Sequence, residues 1–121
     1  MGDLTPNFSR REFACKCGCG FDDISMDLVR MLQYAREEAE APFALTSGCR
    51  CKAHCLAIGS KATSSHIKGL AVDVQAATSR KREQVLWALM QAGFNRIGIG
   101  STFIHCDIDP DKPADVVWLY G

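Results

Sequence analysis

The chain has 121 residues, is 47% hydrophobic and 23% charged, and carries 14 Lys plus Arg against 14 Asp plus Glu, for a formal charge of zero. That length predicts one domain spanning 1–121, with little margin for its core, and the composition excludes a disordered tail or a fibrous repeat. Balanced charge gives no basis for capture of nucleic acid, and no apolar run approaches the ~20 residues that would insert into a membrane.

In chain order, residues 1–13 are polar and lack the apolar stretch of a secretory leader, so synthesis in the cytoplasm and release by another route are expected. Ser9 and Glu12 have capping-box spacing, and Phe8 and Phe13 are placed to staple a brief helix that Cys-Gly-Cys-Gly at 17–20 breaks. Ser25 caps a longer helix with Leu28, Met31, Leu32, Ala35 and Ala39 on one face, ended by Pro42. Residues 43–46 read as a short strand. Residues 51–58 read as a two-turn helix stopped by Gly59. Residues 70–75 alternate as a strand, with Ala71, Asp73 and Gln75 on one face. Thr78 or Ser79 caps the next helix, whose apolar face is Val85, Leu86, Leu89 and Met90. Residues 96–100 and 103–108 read as two strands joined by a tight turn, and 116–120 as a final strand. Helices early and strands late predict an α+β fold with a mainly antiparallel sheet.

Three histidines are present: 54, 66 and 105. In the strand at 103–108, period 2 puts Phe103, His105 and Asp107 on one face and Ile104, Cys106 and Ile108, core in character, on the other. His66 lies in a polar turn seven residues before Asp73. Two neutral imidazoles and a carboxylate are a donor set for a zinc ion that keeps one position for water. His66, Asp73 and His105 supply such a set; the plainer reading is a solvated His66 and an Asp73 paired with a basic residue. His54 is expected to hydrogen-bond within the fold.

Seven cysteines, at 15, 17, 19, 49, 51, 55 and 106, are an odd count that cannot all pair within one chain. Cys15, Cys17 and Cys19 alternate around Gly18, and Cys51 and Cys55 are one helical turn apart. These five are open to three readings: buried thiols, one or two disulfides, or a second, structural metal site. Cys106 reads as core.

The strings Ser47-Gly48-Cys49-Arg50, Ser64-Ser65-His66-Ile67-Lys68-Gly69-Leu70-Ala71-Val72-Asp73, Gly98-Ile99-Gly100 and Phe103-Ile104-His105-Cys106-Asp107 occur in that order. Together they resemble the M15 zinc peptidases, in the short D-Ala-D-Ala carboxypeptidase-like branch often found in phages and prophages, over residues 8–120. The resemblance implies a hedgehog/D-Ala-D-Ala peptidase-like fold, with the Cys-rich segment 8–23 packed on a single peptidase domain. It implies His66, Asp73 and His105 as ligands of one catalytic Zn2+. It further implies Arg50 as a substrate and oxyanion contact, Ser65 and Gly69 as shapers of the metal loop with Ser65 beside substrate, and Trp118 as an aromatic near the cleft. Many relatives carry an acid three residues before the last histidine; here Thr102 stands there, so Asp107 is the expected general base, with orientation of a ligand imidazole as its alternative. The implied activity is zinc-dependent hydrolysis of peptidoglycan stem peptides by a monomer, as carboxypeptidase or endopeptidase. The alternative is an inactive, zinc-containing module that binds cell-wall peptide.

Overall fold

The computed structural model describes residues 2–120. Its elements are α1 (Met26–Ala39), β1 (Leu45–Ser47), α2 (Lys52–Ala57), β2 (Ala71–Gln75), α3 (Ser79–Gln91), β3 (Arg96–Ile99), β4 (Phe103–Asp107) and β5 (Val116–Leu119), with 3-10 turns at Arg10–Phe13 and Ser65–Lys68. The expected opening helix is the first of these turns. The Glu12 carboxylate accepts from the Ser9 N–H at 2.7 Å, and the Phe8 and Phe13 rings lie 5.9 Å apart. The Ser25 and Thr78 hydroxyls cap α1 and α3 as expected, accepting from the N–H groups of Leu28 and Lys81.

One five-stranded sheet runs β1-β2-β4-β3-β5. Three of its pairings are antiparallel, and β5 lies parallel to β3 at one edge. The sheet is therefore mixed, though still mainly antiparallel. The strand expected at 43–46 begins two residues later. Phe43 turns into the core, the Ala44 carbonyl accepts from Gln75 N–H, and regular pairing starts only at Leu45, with an irregularity before Ser47.

Both long helices cover one face of the sheet. Leu28, Val29, Leu32 and Ala35 of α1 and Val85, Ala88 and Leu89 of α3 close on Val72, Val74, Ile97, Ile104 and Cys106. Each such aliphatic side chain, fully buried, contributes about 1.5–3 kcal/mol. Met90 departs from its expected place: it is half exposed, and the smaller Ala88 takes the inward position where α3 approaches the sheet. Among the described residues, no helix is long and apolar enough to cross a membrane.

The opposite face is polar. Asp73, His105 and Gly98 are register partners across β2, β4 and β3, and Trp118 continues the row on β5. A Cβ on Gly98 would come within 2.6 Å of ring atoms of both Trp118 and Tyr120, so only glycine leaves room for those rings over the sheet. Gly69, at φ 69°, ends the turn that carries His66. A Cβ there would strike the Asp23 carbonyl oxygen, so this position both needs a left-handed backbone and admits no side chain.

Candidate active site

Strand register sets Asp73 opposite His105, because the two are Cα partners on neighbouring strands and their side chains leave the same face. His66 arrives from the 3-10 turn, whose amide at His66 is capped by the Ser64 hydroxyl. The His66 and His105 rings meet edge to face, with centroids 5.1 Å apart. The His105 Nδ1 lies 3.0 Å from Asp73 Oδ1, and the His66 Nε2 lies 3.4 Å from the same oxygen.

The His66 tautomer follows from its partner. Its Nδ1 is 2.6 Å from the Gly48 carbonyl, an acceptor only, so Nδ1 carries the proton and Nε2 presents a lone pair. Burial pushes the His66 pKa down, which keeps the ring neutral. The Nε2 atom is buried and has no hydrogen-bond partner. Two acceptors, Nε2 and Asp73 Oδ1, thus face each other with no hydrogen to join them. Their 3.4 Å separation matches the edge of a tetrahedron, about 3.3–3.4 Å for donors about 2.0–2.1 Å from a shared ion. Nitrogen from His66, oxygen from Asp73 and nitrogen from His105 all lie within 4.8 Å of one another, so the donor set fits a divalent cation. His54, on α2, is outside this group.

Asp73 stays ionised. Burial would raise its carboxyl, but the imidazoles beside it, His105 foremost, pull it well below the usual carboxylate range. His105 is drawn the other way: burial lowers its pKa, and hydrogen bonds to Asp107 and Asp73 more than offset this and raise it. Without a cation, then, the ring shares its protons with both carboxylates. A cation held at Nδ1 would take the place of one of those protons.

Asp107 is fully engaged. Its Oδ2 accepts from His105 Nε2 at 2.7 Å, while its Oδ1 accepts from Arg96 Nε at 2.7 Å and from the Asp109 N–H at 3.2 Å. The contact with His105 Nε2 is the one that orientation of that imidazole requires of Asp107. Nδ1 of His105 faces Asp73 and Nε2 faces Asp107, so the ring stands between the two carboxylates. Ser65 belongs to the turn that carries His66. It is 2% exposed, and its hydroxyl donates to Asp109 Oδ2 at 2.7 Å and accepts from Lys112 at 2.9 Å. It knits the turn that carries His66 to the segment after β4 and lies in the lining of the cleft.

Arg50 does face the group, with Nη2 4.0 Å from Asp73 Oδ2 and a buried Nε that has no partner. Trp118 packs against the His105 ring at 5.5 Å. These residues line an open cleft of about 460 Å³, together with Tyr120, Phe103, Lys61 and Lys112. Among the described residues, Asp73 and Asp107 are the carboxylates that line it.

The sequence reading missed Arg96, Tyr120 and the Gly48 carbonyl. Arg96 grips Asp107 and lies 5.0 Å from the Trp118 ring centre, and Tyr120 packs 6.2 Å from Trp118. Period 2 could have found the first two, since Arg96 shares a face with Gly98 and Tyr120 with Trp118. A backbone carbonyl leaves no mark in a sequence.

Of the five cysteines considered for pairing or metal binding, Cys15, Cys17, Cys19 and Cys51 come together and Cys55 does not. Cys51 is the N-cap of α2 and has extended backbone (φ −69°, ψ 159°), so the one-turn rule that would align it with Cys55 does not apply, and Cys55 turns into the interior.

No curated protein sequence matches the chain. Among solved structures, an L-Ala D-Glu endopeptidase, ChiX, from Serratia marcescens matches with a TM-score of 0.58 at 23% identity, covering 71% of this chain and 80% of that one, a likeness of fold. The peptidase M15 family model matches residues 6–107, which takes in the turn of His66, the strand of Asp73 and the strand of His105, and the chain belongs to that family.

Proposed function

We propose that the chain is a zinc-dependent peptidase that hydrolyses peptidoglycan stem peptides, cutting either a terminal D-Ala or a bond within the stem. The single observation that carries this reading is the buried, unpartnered Nε2 of His66 aimed at Asp73 Oδ1, on a face open to a cleft. His66 through Nε2, Asp73 through Oδ1 and His105 through Nδ1 would hold the ion. Zinc, when bound with three protein ligands, supplies Lewis acidity and brings the pKa of water near neutral.

The chain's own groups do the rest. The Gly48 carbonyl and the Asp107 carboxylate each hold the far nitrogen of a ligand imidazole, which fixes ring orientation. Asp107 is thus a positioning residue for His105, itself braced by Arg96. Asp73 Oδ2 faces Arg50 at 4.0 Å, and its carboxyl, held well below the usual carboxylate range, is too weak a base to take a proton from water. Arg50 presents an unpartnered buried Nε where a scissile carbonyl gathers negative charge. Lys61 at the cleft suits a peptide that bears free carboxylates, and Trp118, Phe103 and Tyr120 give its side chains an apolar wall.

A second reading, a module that holds stem peptide without cutting it, is favoured by one observation. Thr102, where many relatives place an acid, is an exposed turn residue, and Asp107 is occupied. One experiment separates the two. Purified protein with added zinc is incubated with defined stem peptides, including one with an L-Ala–D-Glu bond and one ending in D-Ala-D-Ala, and products are read by mass spectrometry. Hydrolysis that His66→Ala abolishes supports the peptidase; saturable peptide binding with no cleavage supports the module.

A further inference from the structure

We propose that Cys15, Cys17, Cys19 and Cys51 form a second metal site, a closed four-thiolate zinc site separate from the cleft. Their sulfur atoms all lie within 4.8 Å of one another. Cys15 and Cys17 are 3.4 Å apart and Cys17 and Cys51 are 3.6 Å apart. Four sulfurs about 2.3 Å from a shared zinc would be separated by about 3.8 Å, so the cluster is already near that size. Disulfide bonds are about 2.05 Å, and all seven cysteines are free.

Packing does not explain this convergence. Lys16, Cys17, Gly18, Cys19 and Gly20 are all exposed, in a stretch that is neither helix nor strand. Thiols on such a loop gain little by burial, and holding them together costs chain entropy. The loop is nonetheless shaped to bring them inward: Gly18 and Gly20 both have left-handed backbone, at φ 82° and 91°, and double the chain back between the thiols. Backbone donors also point at the sulfurs. The Cys51 N–H reaches Cys15 Sγ at 3.4 Å and the His54 N–H reaches Cys51 Sγ at 3.3 Å. The remaining cysteines, 49, 55 and 106, are buried, Cys49 and Cys106 within the hydrophobic core, which resolves the odd count into four candidate ligands and three buried thiols.

Such a site would clamp the N-terminal segment to the chain that serves the cleft. Cys51 follows Arg50, whose N–H donates to the His66 carbonyl at 3.1 Å, and Cys49 N–H donates to the Phe13 carbonyl at 2.7 Å. The same short run supplies the Gly48 carbonyl that fixes the His66 tautomer. The four-thiolate ion is a fastener for that run and holds no position open for water.

The test is zinc content of the full chain purified under reducing conditions, with cobalt(II) substitution read by its thiolate charge-transfer absorption. Wild type should hold about two zinc per chain, and His66→Ala and Cys17→Ser/Cys19→Ser about one each. The cobalt–thiolate band should persist in His66→Ala and vanish in the cysteine variant. A His66→Ala protein that holds no zinc and shows no such band overturns the proposal, as does mass spectrometry that finds these cysteines paired as disulfides in the isolated protein. If the cysteine variant fails to fold, the His66→Ala arm decides alone. That arm reads only the thiolates, so the peptidase proposal and this one fail independently.

Discussion

His66, Asp73 and His105 are held by a sheet and its adjoining turn; Cys15, Cys17, Cys19 and Cys51 are held by a loop and a helix cap. In the first cluster two ligands are register partners on neighbouring strands, and each imidazole has its far nitrogen tied to an oxygen that is not a ligand. In the second, the chain has no regular structure around three of the four sulfurs. The first is set by strand register and opens on a cleft. The second has four sulfurs on a loop and a helix cap, outside that cleft. The difference separates a site whose geometry the fold provides from a site that provides geometry to the fold.

The comparison can be broken most decisively at the sheet. His105→Ala should eliminate peptide cleavage, a fall of about three orders of magnitude or more, while thermal stability changes far less. Cleavage assays and a melting curve on the same preparation check this. Arg50→Ala should lower kcat by about 10²–10³-fold with zinc content unchanged, since it removes a charge at the reacting carbonyl and no ligand. Asp107→Asn should weaken zinc binding by about 10–100-fold and recover cleavage at saturating zinc. Loss of cleavage that saturating zinc does not restore would make Asp107 the proton acceptor.

Two smaller effects concern the scaffold. Asp109, at 2% exposure, accepts from Ser65 and Lys68 and ties the metal loop to the chain after β4. Asp109→Asn should cost about 1–3 kcal/mol in denaturant unfolding. Burial raises the Asp109 carboxyl, and hydrogen bonds from Ser65, the Asp111 N–H and Lys68 lower it further than burial raises it. Its folded pKa therefore lies below the unfolded value of about 3.9, so its stabilisation is complete well above pH 4 and fades as pH falls through the folded pKa. The variant should lose stability less steeply than wild type below about pH 4. Gly98→Ala should cost about 1–3 kcal/mol by forcing Trp118 and Tyr120 off the sheet, with tryptophan fluorescence as a second readout.

Much of this arrangement was legible in the residues. Helical periodicity located α1 and α3, and alternation in β4 separated His105 and Asp107 from Ile104 and Cys106. The parallel pairing of β5 was not legible, because a strand's own residues do not name its partner. Met90 was misplaced because hydrophobicity favours methionine inward, whereas the close approach of α3 to the sheet selects the smaller Ala88. Alternation put Asp107 on the site's face but could not say which ring atom of His105 it meets. That depends on a side-chain torsion and on Arg96 eleven residues away. The grouping of the cysteines turned on Cys51 lying just outside α2, a one-residue matter of helix boundary that spacing rules do not resolve.

The most direct measurement is release of free amine from defined stem peptides by protein stripped with a chelator and then titrated with zinc. Cleavage should vanish on stripping, return as zinc is restored to wild type, and never return in His66→Ala. Undiminished cleavage by fully stripped protein, or by His66→Ala, would contradict a hydrolytic centre built on these three side chains.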